Sequence, residues 1–288
     1  MSITNNCMVV NLQIGIWQGQ RLDKEASRQV TETNGAHADA ARVNKHIISK
    51  EALKPIIQAA GALRTHFYEN TLPWKDNGDR LLTRRRFTVF SQEHGKLTTA
   101  FNDAVETFLT TAYPAAREQA EFRMGELFKS DDYPEVRELR HRFYANLDID
   151  PVSTAGDFRV ALDEQAADIV KRGMESALEA RLKTATRDLW ERLSRTLGRF
   201  AERMGDSEAI FRDSTVENLH ELVPALRDMN VLEDPDLERV CSEIETRLHG
   251  YDAKQLRKYP EVRTAAANEA QEILDGMAGF MNAFGRAA

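Results

Sequence analysis

Cysteine is almost missing from this chain of 288 residues: only Cys7 and Cys241 occur, far apart in sequence. Two thiols so placed supply neither a structural zinc spacing nor a C-x-x-C redox motif, so a reducing cytoplasm is the expected setting. Long hydrophobic runs are missing as well. No segment approaches the roughly 18 apolar residues of a membrane span, and no basic-then-apolar leader opens the sequence. The expectation is a soluble, cytoplasmic protein without a membrane partner. No phosphate loop, dinucleotide fingerprint, nucleophile elbow or zinc-ligand spacing is present. No catalytic residue and no cofactor are therefore assigned, and a non-enzymatic role is expected. Basic charge is not in surplus either: 46 acidic against 39 basic residues leave a net charge of −7. That argues against a dedicated duplex-DNA binder and leaves room for a local basic patch. Neither a low-complexity tract nor a repeat of fixed period occurs.

What the chain does have is helical periodicity. Hydrophobic content of 42% against 30% charged is an ordinary balance for a folded protein with a real core. No proline falls between Asp163 and Met204. Across that stretch Val170, Met174, Leu178, Leu182, Ala185, Leu189, Leu193, Leu197, Phe200 and Met204 recur at steps of mostly four. That spacing keeps them on one face of a helix. About 40 residues at 1.5 Å each predict a helix about 60 Å long. Such a helix needs a partner along most of its length, from this chain or from a second copy. Val170, Met174, Leu178, Leu182, Leu189 and Leu193 are the candidate self-association residues, and a coiled-coil homo-oligomer is expected.

Elsewhere, alternation predicts strands over 8–17 and 143–149. The segment 158–162 reads as a third strand or as the entry to the long helix. Helices are predicted over 38–48, over Lys50–Asn70 with Ser49 as N-cap, and from Arg84 to a break at Pro114. Further helices are predicted over 115–129, 134–141, 207–229, 235–249 and 260–284, with Gly276, Gly279 and Gly285 fraying the tail. The expected fold is mostly α, a long helical hairpin or bundle with a small antiparallel β element. An α+β region (1–162) and a helical region (163–288) are the expected domains.

The best nucleic-acid candidate is the basic cluster Arg80, Arg84, Arg85 and Arg86, with Trp74 beside it. Guanidinium groups pair bidentately with phosphates, and aromatic rings stack on exposed bases. The competing reading is a solvated helix start. Three arginines there oppose the helix macrodipole, which implies an acidic neighbour in the protein or on a partner. Glu138/His141 and Glu217/His220 have the Glu-x-x-His spacing of di-iron carboxylate sites. Glutamate is abundant, and His141 falls at a helix end, so coincidence is the simpler account and no metal is assigned. Trp190 lies beside the apolar stripe and reads as core. Asp148 and Asp150 have no carboxylate partner that would suggest catalysis.

Several strings resemble a family of tailed-phage proteins. They are Trp17-x-Gly19-x-x-Leu22-Asp23, Leu53-Lys54-Pro55 through Thr71-Leu72-Pro73-Trp74, Ala155-Gly156-Asp157-Phe158-Arg159-Val160, Asp188-Leu189-Trp190, and Phe211-Arg212-Asp213-Ser214-x-Val216-Glu217-Asn218-Leu219. Together they span most of the chain from residue 17 to about 240. Genes of this family tend to sit near phage replication functions, sometimes beside a ring-forming ATPase of the MoxR type. The resemblance implies a phage gene product in the host cytoplasm and carries over no active-site residue. The leading expectation is a helical scaffold or adaptor in phage DNA metabolism or against host defence, partnered by a ring ATPase or a defence component. The alternative is a single-stranded nucleic-acid binder using the patch around 74–90.

Overall fold

Ser49 sets the start of the first long helix: its Oγ accepts the Ala52 N–H at 3.3 Å, as an N-cap does. The computed structural model describes residues 3–158, 163–206 and 208–285. Helix accounts for 69% and strand for 11%, so the fold is mostly α with a minor antiparallel β element.

In chain order, α1 (Ile3–Asn6) leads into β1 (Cys7–Gly15). Next come β2 (Gln20–Asp23), α2 (Lys24–Thr33), β3 (Val43–His46) and α3 (Lys50–Asn70). The helix predicted over 38–48 does not form. Its end is β3, which pairs antiparallel with β2 from Gln20↔His46 to Asp23↔Val43. A pairing partner distant in sequence overrides the local pattern. β4 (Leu72–Pro73) and β5 (Arg80–Thr83) flank a turn at Gly78, whose φ of +93° suits glycine.

α4 (Arg84–Thr107) runs through a π-turn at Phe108–Ala112 into α5 (Tyr113–Glu118). The expected break at Pro114 is absent. Proline lacks an N–H and crowds the carbonyl four residues back, and the wider π-turn just before it accommodates both. α6 (Ala120–Met124), α7 (Val136–Arg140) and β6 (Tyr144–Pro151) follow. The four-stranded sheet has the order β4-β5-β1-β6. The segment 159–162, where a strand or helix entry is predicted, lies outside the described residues.

The long helix is α8 (Glu164–Gly205), capped by Asp163, whose Oδ1 accepts the Ala166 N–H at 2.9 Å. α9 (Ser214–Met229), α10 (Pro235–Leu248), α11 (Ala253–Lys258) and α12 (Pro260–Gly285) complete the chain. α12 stays helical through Gly276 and Gly279, with Ile273 and Met277 in the core at 2% and 1% exposure, and residues 286–288 at the end of the tail lie outside the described residues. No described helix is long and apolar enough to cross a membrane.

The chain divides into two compact units. The first comprises Met1–Asn11, Tyr68–Phe90 and Asp148–Ala288. Residues 1–11 and 68–90, in the N-terminal region of the sequence reading, thus group with the helical part. In this unit α8 packs most extensively on α12. Trp190 stacks on Phe280 at 5.3 Å, and a Cβ at Gly205 would sit 4.0 Å from that of Ala267, so the two helices run antiparallel. Leu189 and Leu193 are fully buried in this core, as is Trp190, whose Nε1–H donates to Asp234 Oδ2 at 3.0 Å. Leu178 and Leu182 are half-buried against it.

The second unit comprises Leu12–Phe67 and Ser91–Leu147. Trp17, Phe108, Tyr113 and Phe143 form an aromatic cluster at its centre, with ring centroids 5.7–6.4 Å apart. Beside it Lys45 is buried between Asp23 Oδ2 at 3.2 Å and Asp132 Oδ2 at 2.5 Å, and its third donor reaches Leu127 O at 2.9 Å.

Candidate functional site

The chain leaving α3 determines the site. A helix C-terminus presents carbonyls without intrahelical partners and carries the negative end of the macrodipole, so it attracts cations. Three arginines of the first unit converge there. Arg80, on β5 opposite Pro73 of β4, donates from Nε to Thr71 Oγ1 at 2.7 Å and from a terminal nitrogen to Thr71 O at 2.8 Å. Arg192 of α8 donates to Glu69 O at 2.8 Å and to Thr71 O at 2.7 Å. Arg86 donates from Nε to Asn70 Oδ1 at 2.7 Å. Sharing the Thr71 carbonyl holds Arg80 and Arg192 side by side. Burial, and then the Arg192 charge, pull the Arg80 guanidinium below its ordinary pKa, against the opposing pull of Asp188 and Tyr68.

These side chains form one wall of a cavity of about 540 Å³. Arg195 and Arg199 extend the wall along α8, and Asn218, Glu221, Leu222 and Ala225 of α9 face it. Positions 192, 195 and 199 fall on one side of a helix because steps of three and four residues nearly complete a turn. Five arginines thus meet three carboxylates, Glu69, Asp188 and Glu221. Asp188 is already taken by Arg192 at 2.7 Å. Arg86 finds Asp228 at 3.6 Å, the kind of acidic neighbour that arginine at a helix start implies. Arg195 and Arg199 are exposed and carry no ion pair among the described residues. Tyr68 stands at the rim, 53% exposed, with the Arg80 guanidinium 4.9 Å from its ring centroid.

The cavity's forked cations, of which Arg195 and Arg199 have no counter-charge among the described residues, are chemically able to pair with planar or phosphate anions. Of the residues proposed from sequence, Arg80 and Arg86 line the cavity. Arg84 and Arg85 are exposed at the start of α4 and do not. Three adjacent helical residues point about 100° apart, so only one of a triplet can face a given cleft. Trp74 lies apart in a second recess of about 520 Å³, with Arg181 over its ring at 5.7 Å. It is 5% exposed and belongs to the core, so its ring faces are largely spoken for. Sequence reasoning missed Tyr68, Arg192, Arg195 and Arg199. The readable signal was the arginine spacing i, i+3, i+7 on the polar side of the long helix.

Neither Glu-x-x-His pair meets further ligands: no three His, Cys, Asp or Glu side chains among the described residues form a group able to hold a metal. Glu138 and His141 are exposed. The His220 ring lies 4.8 Å from that of His249, with Nε2 at 3.4 Å from Leu248 O. Of the self-association candidates, Leu189 and Leu193 serve the chain's own core, and Val170 and Met174 are half-buried. No family model, curated protein or solved structure matches this chain.

Proposed function

We propose that this protein is a non-enzymatic nucleic-acid-binding protein that grips sugar-phosphate backbone in the arginine cleft of its first unit. One observation carries the reading: Arg195 and Arg199 reach the cleft without a carboxylate partner among the described residues, beside three arginines already gathered there. Surface arginines usually settle on nearby acids, and this chain is rich in them, so unpaired ones in a cavity favour an anion from outside. Tyr68, 53% exposed with the Arg80 guanidinium over its ring, adds an aromatic group beside the cations, a combination that favours a nucleic acid over a simple anion. In the setting implied by the resemblance to tailed-phage proteins, the role is in phage DNA metabolism or against host defence. The test is oligonucleotide binding followed by fluorescence anisotropy at two salt concentrations. Binding should weaken steeply with salt and be lost in R195E/R199E. Equal binding by wild type and variant ends this reading.

A second reading, self-association as a scaffold, is favoured by the first half of α8. Ile169 is 60% exposed there, next to the half-buried Val170 and Met174. An apolar edge on a long helix suits a second copy of the chain. Light scattering decides: an oligomer that V170E/M174E reduces to a monomer supports it, and a wild-type monomer removes it.

A further inference from the structure

The cleft and the Trp74 recess share one wall. Arg181 and Thr184 line the recess, and Asp188, Arg192, Arg195 and Arg199 line the cleft. At 100° per residue these six positions fall within an arc of about 80° on α8, flanked on its two sides by the uncharged lining residues Ala180 and Thr196. Part of the remaining lining also comes from one stretch of chain, 68–70 in the cleft and 73–77 in the recess, with α9 closing the cleft's other side. Charge follows the same line. On other faces of the helix, Lys183 pairs with Glu179 at 3.0 Å and Arg187 with Glu191 at 3.5 Å. On the stripe, Arg181, Arg195 and Arg199 have no carboxylate partner among the described residues, and the one acid, Asp188, is bonded to Arg192. Arg181 instead lies over Trp74, its guanidinium carbon 5.7 Å from the ring centroid, a cation–π contact that keeps it at the recess.

We infer that the Trp74–Arg181 recess is a second phosphate-contacting point for the same ligand, and that the ligand is a single strand lying along this stripe of α8. The inference rests on the nucleic-acid reading of the cleft and adds the ligand's form, length and path. From Arg181 to Arg199 is 18 residues, or about 27 Å of helix axis. A stacked strand rising about 3.4 Å per nucleotide covers that in about eight nucleotides. A duplex strand would wind through most of its roughly 34 Å turn over the same distance and leave the stripe. A single strand can stay on it. Trp74 acts here as a positioning residue: it holds Arg181 and does not itself stack on a base.

The experiment measures affinity of oligo(dT) of about four and about twelve nucleotides, and of a duplex of the longer length, for the full chain. Wild type, R181E and R195E/R199E are compared at low and moderate salt. Arg195 and Arg199 are exposed and Arg181 is half-buried, and equal thermal melting confirms that the variants fold. The expected result is that R181E weakens the longer oligonucleotide about tenfold and lowers its salt slope by about 0.7. It leaves the shorter one unchanged, while R195E/R199E weakens both and the duplex binds more weakly than the single strand. If R181E matches wild type at both lengths while R195E/R199E still matters, the track is wrong and the cleft stands. Duplex binding as tight as single-strand binding also overturns the track. If R195E/R199E has no effect at either length, the cleft reading itself fails and the inference falls with it.

Discussion

In the unit of Leu12–Phe67 and Ser91–Leu147, Lys45 is 5% exposed and each of its donors has an acceptor. In the other unit, Arg195 and Arg199 line an open cleft and have no counter-charge among the described residues. Both are basic groups in an acidic chain. The first is neutralised inside the protein because an unpaired buried charge would cost more than folding can supply. The second stays in water, where repulsion is screened and holding the charge ready costs little. A saturated cation in the core reads as structure, and an unsaturated group of cations in a cavity reads as a place for a ligand. Substitutions should therefore separate the two: one set should change stability and leave binding alone, the other the reverse.

The largest effect is expected at Lys45. Asp23 uses Oδ1 to cap α2, accepting the Glu25 and Ala26 N–H groups at 3.1 Å, and Oδ2 to hold Lys45. Lys45→Met leaves Asp23 buried without its cation and the half-buried Asp132 with only Arg21, 3.7 Å away, a loss of about 3 kcal/mol. Urea unfolding checks it, with the oligonucleotide affinity of the remaining folded protein unchanged. A loss below about 1 kcal/mol would mean that water already reaches the triad.

Next in size is the cleft. R195E/R199E should lower oligonucleotide affinity by at least tenfold, which is about 1.4 kcal/mol, and reduce the salt slope by about 1.4. Its unfolding free energy should stay within about 0.5 kcal/mol of wild type. If stability fell by several kcal/mol instead, these arginines would belong with Lys45.

Acidity gives a smaller, graded contrast. The Ala26 N–H bond, and then Lys45 against the opposing cost of burial, hold the Asp23 carboxyl below its ordinary range. A depressed carboxyl contributes stability above its unfolded pKa of about 3.9, and that stability is lost as pH falls through the folded value. For Lys45, burial lowers the pKa, and the hydrogen bonds and charges of Asp132 and Asp23 outweigh it, so the net shift is upward. Its contribution is complete below about pH 10.4 and is lost as pH rises through the raised value. Stability should thus fall at both ends, and Lys45→Met should flatten both limbs. Binding in the cleft should stay level from about pH 5 to about pH 9, because arginine keeps its proton. Denaturation midpoints carried below about pH 4 and above about pH 10 read the two limbs, and anisotropy between about pH 5 and about pH 9 reads binding.

The same contrast shows what was legible in sequence. The span Lys50–Asn70, the start of α8 at Asp163 and the burial of Trp190 follow from caps and apolar spacing, which are local. β3 was hidden because its pairing with β2 joins segments about 20 residues apart, and Val43-Asn-Lys-His46 has no alternation of its own. The cleft was half visible. Arg80 and Arg86 stand close together in sequence. Arg192, Arg195 and Arg199 lie more than 100 residues on, brought to the same cavity only by packing of α8 beside β4. Trp74 looked like a stacking residue by its neighbours and is instead a core side chain covered by Arg181.

The smallest expected effect tests that distinction within a single triplet. Arg84, Arg85 and Arg86 are adjacent in sequence, and a sequence-based reading weights them equally. On α4 only Arg86 turns into the cleft, bonded to Asn70 and near Asp228. The other two project into water from the start of the helix, where the macrodipole disfavours them. R84A/R85A should therefore change oligonucleotide affinity by less than about twofold and stability by no more than about 0.5 kcal/mol, with a slight gain allowed by relief of the dipole. Arg86→Ala should lower affinity severalfold, because it removes a cleft cation and leaves Asn70 Oδ1 without that donor. Comparable losses from R84A/R85A and Arg86→Ala would place the ligand on the exposed start of α4 instead of in the cavity. The binding surface would then be the one that proximity in sequence suggests.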